Sequence, residues 1–251
     1  MKDITFGVTW YLREQDLERC VNRVRKYYPK SKIDTQNTGG NLSWGRNQLV
    51  GRCSTPYYFM LEEDMRIHPP DVVKISEMRS ILVDRRILGV NPLLVEGSRT
   101  VSRCRIFRKR RKGVEIALAR IIKKLNGVDA VVSNLTQNVG LFSTERLSGY
   151  RWNERLEMAE HHLFFWDVFK CGRHVMATID GRVRHVYSRP TTEYRSARRR
   201  GNRGELFDLS NRLVGVGGGF FSNLKLKDDY HEVLKRIPHG RRAARMSRRG
   251  Y

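Results

Sequence analysis

Three consecutive carboxylates, Glu62, Glu63 and Asp64, follow directly on the apolar run 57–61. A short run rich in aromatic residues, stopped soon afterwards by a pair of prolines, is typical of a buried strand. The acids therefore fall at the carboxyl end of a strand, where open α/β sheets bind ligands. Adjacent negative charges repel each other, so a divalent cation would stabilise them, and carboxylate oxygens suit Mg²⁺ or Mn²⁺ when phosphates complete the shell. The alternative is a solvated acidic turn.

The segments before the acidic run predict the elements that position it. Residues 4–8 alternate apolar and polar side chains, residues 17–24 show helical spacing, and residues 31–35 supply a second strand. This strand–helix–strand opening predicts a parallel pair of strands joined by a right-handed crossover.

The later segments predict further helices and strands. The predicted helices span 44–52, with Asn41 or Ser43 as the cap, then 70–83 and 155–169. The predicted strands span 87–94, 130–132 and 139–142, followed by a pair at 175–179 and 183–186 around Asp180-Gly181. The fold class is therefore α/β, a mixed and mainly parallel sheet flanked by helices. It forms a single domain over residues 1–190, with an arginine-rich extension at 191–251.

A charged run, Arg-Lys-Arg-Arg-Lys-Gly at 108–113, separates two apolar segments at 101–107 and 114–122. We interpret these segments as a hairpin with a basic tip. A helix from Val114 onward is the alternative.

The chain carries 49 Lys and Arg residues against 26 Asp and Glu residues, a net charge of +23. Such an excess predicts a polyanionic partner: nucleic acid, an anionic membrane surface or a phosphorylated substrate. The four cysteines form no C-x-x-C pair, which argues against a zinc site and favours buried free thiols in a reducing compartment. No apolar targeting segment or membrane-spanning stretch is visible, so we expect a cytoplasmic protein, in the host cytoplasm if viral.

Several motifs follow one another along residues 4–194. They are Thr9-x-x-x-Arg13, the run Asn-Leu-Ser-Trp-Gly-Arg-Asn at 41–47, the acidic strand end, Trp152-Asn153-Glu154-x-Leu156, Glu160-His161-x-x-Phe164-Phe165 and His185. This order resembles the nucleotide-diphospho-sugar transferases of GT-A fold. It is most similar to the large family of inverting glycosyltransferases that includes ganglioside-type N-acetylgalactosaminyltransferases and viral glycosyltransferases. Glu62 and Glu63 stand where that family usually has aspartates.

The resemblance implies a nucleotide-sugar donor, most often a UDP-sugar, and a bound Mn²⁺ or Mg²⁺. It implies Asp64 as the principal metal ligand, His185 as the second protein ligand, and Glu62 near the ribose or the metal. The residues that it places in the nucleotide pocket are Thr9, Arg13, Asp34, Arg46 and Asn47, with Arg46 countering phosphate charge. Without the resemblance, His185 reads as an ordinary strand histidine.

For the catalytic base, the resemblance implies Glu160, with His161 as the rival. On an apolar helix Glu160 would be partly desolvated, which strengthens a carboxylate as a base. The plainer interpretation is a capping or surface glutamate near a helix start.

The leading hypothesis is a metal-dependent inverting glycosyltransferase. Its acceptor is either a glycan or, given the basic charge, a hydroxylated base in DNA that would be flipped out of a duplex. The alternative is a non-catalytic nucleic-acid-binding protein on a degenerate transferase scaffold. A two-metal nuclease is less favoured because the sequence shows no second acidic pair to complete its site.

Overall fold

The computed structural model describes residues 1–102, 104–110, 113–155 and 160–186. It begins with strand β1 (Ile4–Trp10), helix α1 (Glu14–Tyr27) and strand β2 (Lys32–Asn37). β1 and β2 pair in parallel, so the predicted strand–helix–strand opening is confirmed. Helix α1 buries Cys20, Val21 and Val24 against the sheet, with Leu17 and Tyr27 partly buried beside them, while most of its other residues are polar.

Helix α2 (Leu42–Arg52) and strand β3 (Tyr57–Glu62) follow, with the short strand β4 (Met65–Arg66) just beyond the acidic triplet. Of the two predicted caps of α2, the structure uses Asn41, whose side-chain oxygen accepts a hydrogen bond from the Trp44 amide at 3.0 Å. β3 pairs in parallel with β1, as expected for a buried strand beside the opening one.

The helix predicted over 70–83 is wrong as a single element. The structure has α3 (Pro70–Val73) and α4 (Ile75–Ile81), separated by Lys74 with a φ of +62°. The break coincides with a close backbone approach, since a Cβ at Gly181 would lie 2.2 Å from the Val73 carbonyl oxygen. Lys74 Nζ also lies 2.7 Å from an Asp180 carboxylate oxygen. Packing against this neighbour therefore overrides the local helical pattern.

The middle of the chain is rich in strands. They are β5 (Ile87–Glu96), β6 (Arg99–Val101), β7 (Arg105–Arg110), β8 (Gly113–Leu118), β9 (Ile122–Leu125), β10 (Val128–Ser133) and β11 (Gly140–Ser143). β7 and β8 pair antiparallel as a separate two-stranded sheet, so the predicted hairpin is confirmed and the alternative helix from Val114 is wrong. The predicted tip 108–113 is too long, because β7 continues through residues 108–110 and β8 begins at Gly113.

The described chain ends with α5 (Thr144–Leu147), α6 (Glu160–Cys171) and β12 (Val175–His185). The predicted strand pair around Asp180-Gly181 is wrong, because β12 continues through both residues and pairs in parallel with β5. At Asp180-Gly181 the ladder between β12 and β5 shows a register shift, between Thr178 and Arg182. Pairing along β5 therefore outweighs the local turn signal. The predicted start of the α6 helix falls partly on residues 156–159, which lie outside the described residues.

These strands form one large sheet in the order β2-β1-β3-β11-β5-β12-β10-β9, with β6 added to β5 and β4 to β12. Parallel pairs join β2, β1 and β3, and β5 with β12, while β11 lies antiparallel between β3 and β5. One apolar cluster fills the face covered by α1, α3 and α4, and a second fills the face covered by α2 and α6. The predicted α/β class, a mainly parallel sheet flanked by helices, is confirmed.

The four cysteines are free thiols, as predicted, but only Cys20 and Cys104 are buried as expected; Cys53 is partly exposed and Cys171 is exposed. In the described part of the chain, no helix is both long and apolar enough to cross a membrane. The predicted extension 191–251 lies outside the described residues.

Candidate active site

The carboxyl ends of β1, β2 and β3 lie side by side at one edge of the sheet. The register pairs Thr9 with Glu62 on one side and with Gln36 on the other. Thr9 is fully buried, and its hydroxyl donates to the Leu61 carbonyl at 3.4 Å. The acidic triplet therefore emerges at the edge where the sequence predicts a ligand site, and Thr9 is buried beside the strand that carries it.

Asp64 and His185 meet at this edge. The His185 Nε2 atom lies 3.3 Å from Asp64 Oδ2, although 121 residues separate them in sequence. Pairing of β12 with β4 places His185 opposite Met65, and the Val186 amide donates to the Asp64 carbonyl at 2.9 Å. The expectation that the two predicted metal ligands lie together is confirmed; their role as ligands stays a prediction.

The residues present fit a hard divalent cation. Asp64 Oδ1 is buried without a hydrogen-bond partner, and a cation would satisfy it. One carboxylate and one imidazole are suitable ligands for Mn²⁺. Within the described residues, no group of three His, Cys, Asp or Glu side chains is arranged to hold a metal alone. A cation at this position would therefore need further oxygens, and a nucleoside diphosphate supplies them.

The three carboxylates of the triplet have three different environments. Glu62 faces Arg46, Asp64 faces His185, and Glu63 is buried beside Arg13, whose Nη1 lies 3.8 Å from Glu63 Oε1. Burial, together with the neighbouring charges of Asp64 and Glu62, raises the pKa of Glu63 to about 8, although Arg13 lowers it. Glu63 therefore binds a proton readily near neutral pH.

Arg13 and Asn47, two predicted nucleotide-pocket residues, have different hydrogen-bond partners. Arg13 Nη1 donates to Asp64 Oδ2 at 3.2 Å, so this predicted nucleotide-pocket residue lies directly at the acidic cluster. Asn47 Nδ2 instead donates to the Trp152 carbonyl at 2.9 Å and to Glu154 Oε1 at 2.8 Å. Asn47 therefore fastens α2 to the segment that precedes α6.

Arg46 forms a buried bridge between two carboxylates. Its side chain is 1% exposed; Nη2 lies 2.7 Å from Glu62 Oε1, and Nη1 donates to Glu160 Oε1 in a short contact. Burial disfavours the charged guanidinium, but the two carboxylates outweigh this and raise the pKa of Arg46. In this structure Arg46 thus compensates two protein charges, whereas the resemblance implies that it counters phosphate charge.

Glu160 begins α6 and is buried, as expected of a desolvated base, but it is buried as the partner of Arg46. The predicted rival His161 is partly exposed, and its ring packs on that of His162 with centroids 3.9 Å apart. Trp152 stacks on Phe164 at 4.0 Å and is buried, which makes it a core residue of the α6 face.

Asp34 is not brought to this cluster. Both of its carboxylate oxygens accept hydrogen bonds from Arg52 at 3.1 Å. In the register of β1 and β2, Asp34 pairs with Gly7, two positions before the level of Thr9. Its predicted role in binding the nucleotide stays a prediction.

The sequence reasoning missed Glu96, whose Oε1 lies 3.2 Å from His185 Nδ1. It also missed that Arg46 is held by carboxylates from two other elements. One sequence signal pointed to Glu96. This carboxylate lies just after the predicted strand 87–94 and before Gly97, so it is expected at a strand end, as the acidic triplet is.

The architecture is a GT-A-like glycosyltransferase fold. The solved structures that are similar include Staphylococcus aureus TarS. Residues 1–349 of TarS in complex with UDP match with a TM-score of 0.52 and 12% identity over 92% of this chain and 69% of that chain. A second TarS structure matches with a TM-score of 0.50 and 11% identity, over 94% of this chain and 49% of that chain. At such identities the likeness shows the fold.

No protein-family model matches the sequence, and no curated protein matches it significantly.

Proposed function

We propose that this protein is a metal-dependent inverting glycosyltransferase that moves a sugar from a UDP-sugar to an acceptor hydroxyl. The observation that carries the proposal is the contact between Asp64 and His185 at the carboxyl edge of a GT-A-like sheet, with the buried Asp64 Oδ1 left without a partner. The similar fold of TarS in complex with UDP supports a uridine nucleotide as the donor carrier.

Each side chain then has a defined task. Asp64 and His185 would hold Mn²⁺ or Mg²⁺, which when bound supplies Lewis-acid stabilisation of the leaving diphosphate. Glu160 accepts the proton of the acceptor hydroxyl as it attacks the sugar from the side opposite the diphosphate. Arg46 holds Glu160 and Glu62 in fixed positions through its two terminal nitrogens. Holding the reacting groups in line supplies the positional part of the rate enhancement.

Release of a nucleoside diphosphate tests the proposal directly. Purified protein is screened by thermal shift against nucleotide sugars with and without Mn²⁺, and the donor that stabilises it most is assayed for turnover. We expect Mn²⁺-dependent release of UDP, and a product with the anomeric configuration inverted. Binding of DNA with no release from any donor would instead support a non-catalytic nucleic-acid-binding protein.

Glu160→Gln should lower kcat by about 10²- to 10⁴-fold, because the amide cannot accept the proton. His161→Gln serves as the matched variant and should retain most of the activity. Azide attacks without losing a proton, so it should restore sugar transfer by Glu160→Gln. UDP affinity, measured in parallel, separates a lost base from a damaged fold. If His161→Gln shows the larger loss and azide rescues it, the base is His161.

For the acceptor we propose a polyanion, with a hydroxylated base in DNA as the leading example. The net charge of +23 supports it. The hairpin β7–β8, whose sequence carries the basic run, packs through Phe107 on Trp166 of α6, with ring centroids 5.2 Å apart. α6 is also the helix that begins at Glu160. The two residues at the hairpin tip, 111 and 112, lie outside the described residues.

DNA affinity should therefore fall steeply with salt. With six to ten phosphate contacts, raising the salt from 50 to 200 mM should weaken binding by roughly 10³- to 10⁵-fold. Transfer to an uncharged glycoside is the comparison, measured over the same salt series. Efficient, salt-insensitive transfer to the glycoside together with weak DNA binding would assign a glycan acceptor.

A further inference from the structure

His185 lies between two carboxylates, one at each ring nitrogen. Its Nε2 is 3.3 Å from Asp64 Oδ2, and its Nδ1 is 3.2 Å from Glu96 Oε1. All three side chains are largely buried, with 14% to 16% of their surface exposed. The imidazole is thus enclosed on both sides by groups that only accept hydrogen bonds when ionised.

Backbone pairing fixes this arrangement. His185 is paired with Glu96 in the parallel ladder of β12 and β5, and with Met65 in the antiparallel ladder of β12 and β4. The residue after His185 also donates its amide to the Asp64 carbonyl. Pairing of β12 on both sides thus places the His185 backbone between the strands that carry the two carboxylates.

The two contacts have different chemical consequences. A neutral imidazole carries one N–H donor and one acceptor nitrogen. If Nδ1–H donates to Glu96, the lone pair of Nε2 points toward Asp64 Oδ2 at 3.3 Å, an oxygen that also accepts from Arg13 Nη1. A divalent cation bound by Nε2 and the Asp64 carboxylate would remove the repulsion between these two acceptors. Metal-bound histidines in proteins are commonly fixed in this way, through a carboxylate on the other nitrogen.

From this geometry we propose that Glu96 is a positioning residue, which holds His185 in the Nδ1–H tautomer so that Nε2 is presented to the metal of the donor complex. The inference rests on the proposed function, since it concerns the same site. It assigns Glu96 no contact with the substrate. Its effect passes through the orientation and basicity of His185.

The test is the affinity of the full chain for Mn²⁺ in the presence of UDP, measured by electron paramagnetic resonance. Glu96→Ala should weaken Mn²⁺ binding by about 10- to 100-fold, while Glu96→Gln, whose amide oxygen still accepts from Nδ1–H, should lose less. Glu77→Gln is the matched control, since Glu77 is a more exposed carboxylate on α4 that pairs with Lys74. UDP affinity without metal should be unchanged in all three variants.

A spectroscopic signature separates positioning from a general loss of structure. In protein loaded with diamagnetic Mg²⁺ and UDP, nitrogen–proton correlation spectra of the His185 ring should show the Nδ1–H tautomer. Glu96→Ala should shift the ring toward a mixture of tautomers, and Glu96→Gln should keep the wild-type form.

The outcomes are distinguishable. Wild-type Mn²⁺ affinity in Glu96→Ala, alongside loss of binding in His185→Ala, would overturn the role of Glu96 and leave the proposed function standing. Weakened Mn²⁺ binding in Glu96→Ala, with no donor turnover by the wild-type protein, would support the positioning role and refute the proposed function. A wild-type protein that binds no Mn²⁺ with UDP would overturn the inference.

Discussion

Replacing Arg46 with methionine should lower the free energy of unfolding by about 3–5 kcal/mol, the cost of removing one partner from a buried ionic network. Arg46 is 1% exposed and contacts carboxylates of β3 and α6. Methionine has a comparable shape but no charge, so it would leave Glu62 and the more deeply buried Glu160 facing each other uncompensated. Urea unfolding of both proteins, followed by far-UV circular dichroism, measures the difference.

Arg52→Met is the matched control for this prediction. Arg52 also pairs with a carboxylate, Asp34, but its side chain is 45% exposed. An exposed pair contributes at most about 1 kcal/mol, so this variant should unfold close to wild type. Equal losses in the two variants would show that the Arg46 network is not a buried ionic one.

A double-variant cycle defines the coupling. Combining Arg46→Met with Glu160→Gln removes both charges of the shortest contact, so the double variant should be more stable than the sum of the two single losses implies. Strict additivity would contradict direct coupling between the two side chains. If the single variant Arg46→Met does not fold, Arg46→Lys takes its place in the double-variant cycle. Lysine keeps the charge but cannot bridge two carboxylates through a planar fork.

Asp64→Asn should abolish the Mn²⁺-dependent part of the stabilisation by the UDP-sugar. Asparagine keeps the shape but loses the negative charge that attracts the cation and supplies its principal oxygen ligand. In the wild-type protein, donor at 100 times its Kd should contribute about 2.7 kcal/mol. For a chain of this length that corresponds to roughly 5–10 °C in melting temperature. Turnover should fall by at least about 10²-fold, since the charge of the leaving diphosphate is no longer compensated.

Asp167→Asn provides the control for Asp64→Asn. Asp167 lies on α6 as an exposed partner of Lys170, so its replacement should leave both the metal-dependent shift and the turnover unchanged. An undiminished response to Mn²⁺ in Asp64→Asn would show that the cation, if it binds, uses another residue as its principal ligand.

The elements that were predictable are those set by short-range patterns. β1 and β3 have alternating or continuous apolar runs, and α1 has one apolar stripe, so their side chains decide both the element and the face it buries. The failures occurred where a neighbour distant in sequence decides the backbone. The Asp180-Gly181 pair looks like a turn, but it lies within β12 because β5 pairs along that strand. The helix 70–83 is broken at Lys74, where the same strand approaches α3.

The site divides in the same way. The type and order of the residues, taken with the family they resemble, were enough to predict that Asp64 and His185 would lie together at the edge of an α/β sheet. Neither the contact of Glu96 with His185 nor the bridge from Arg46 to Glu62 and Glu160 could be predicted. Glu160 is 114 residues from Arg46, and Glu96 is 89 residues from His185. The Glu96 contact depends on the register of β5 and β12, since a shift of one residue would turn each side chain to the opposite face. The Arg46 contact depends on how α2 and α6 pack over the sheet.

Patterns along the chain thus set the local elements, the α/β class and the chemical types of the groups at the sheet edge. The tertiary structure alone decided which carboxylate faces which cation. Ionic pairing requires side chains a few ångströms apart, because the interaction falls with distance and is weakened by water. That proximity comes from the packing of α2, α6 and β12 around β3, which no local pattern in the chain encodes.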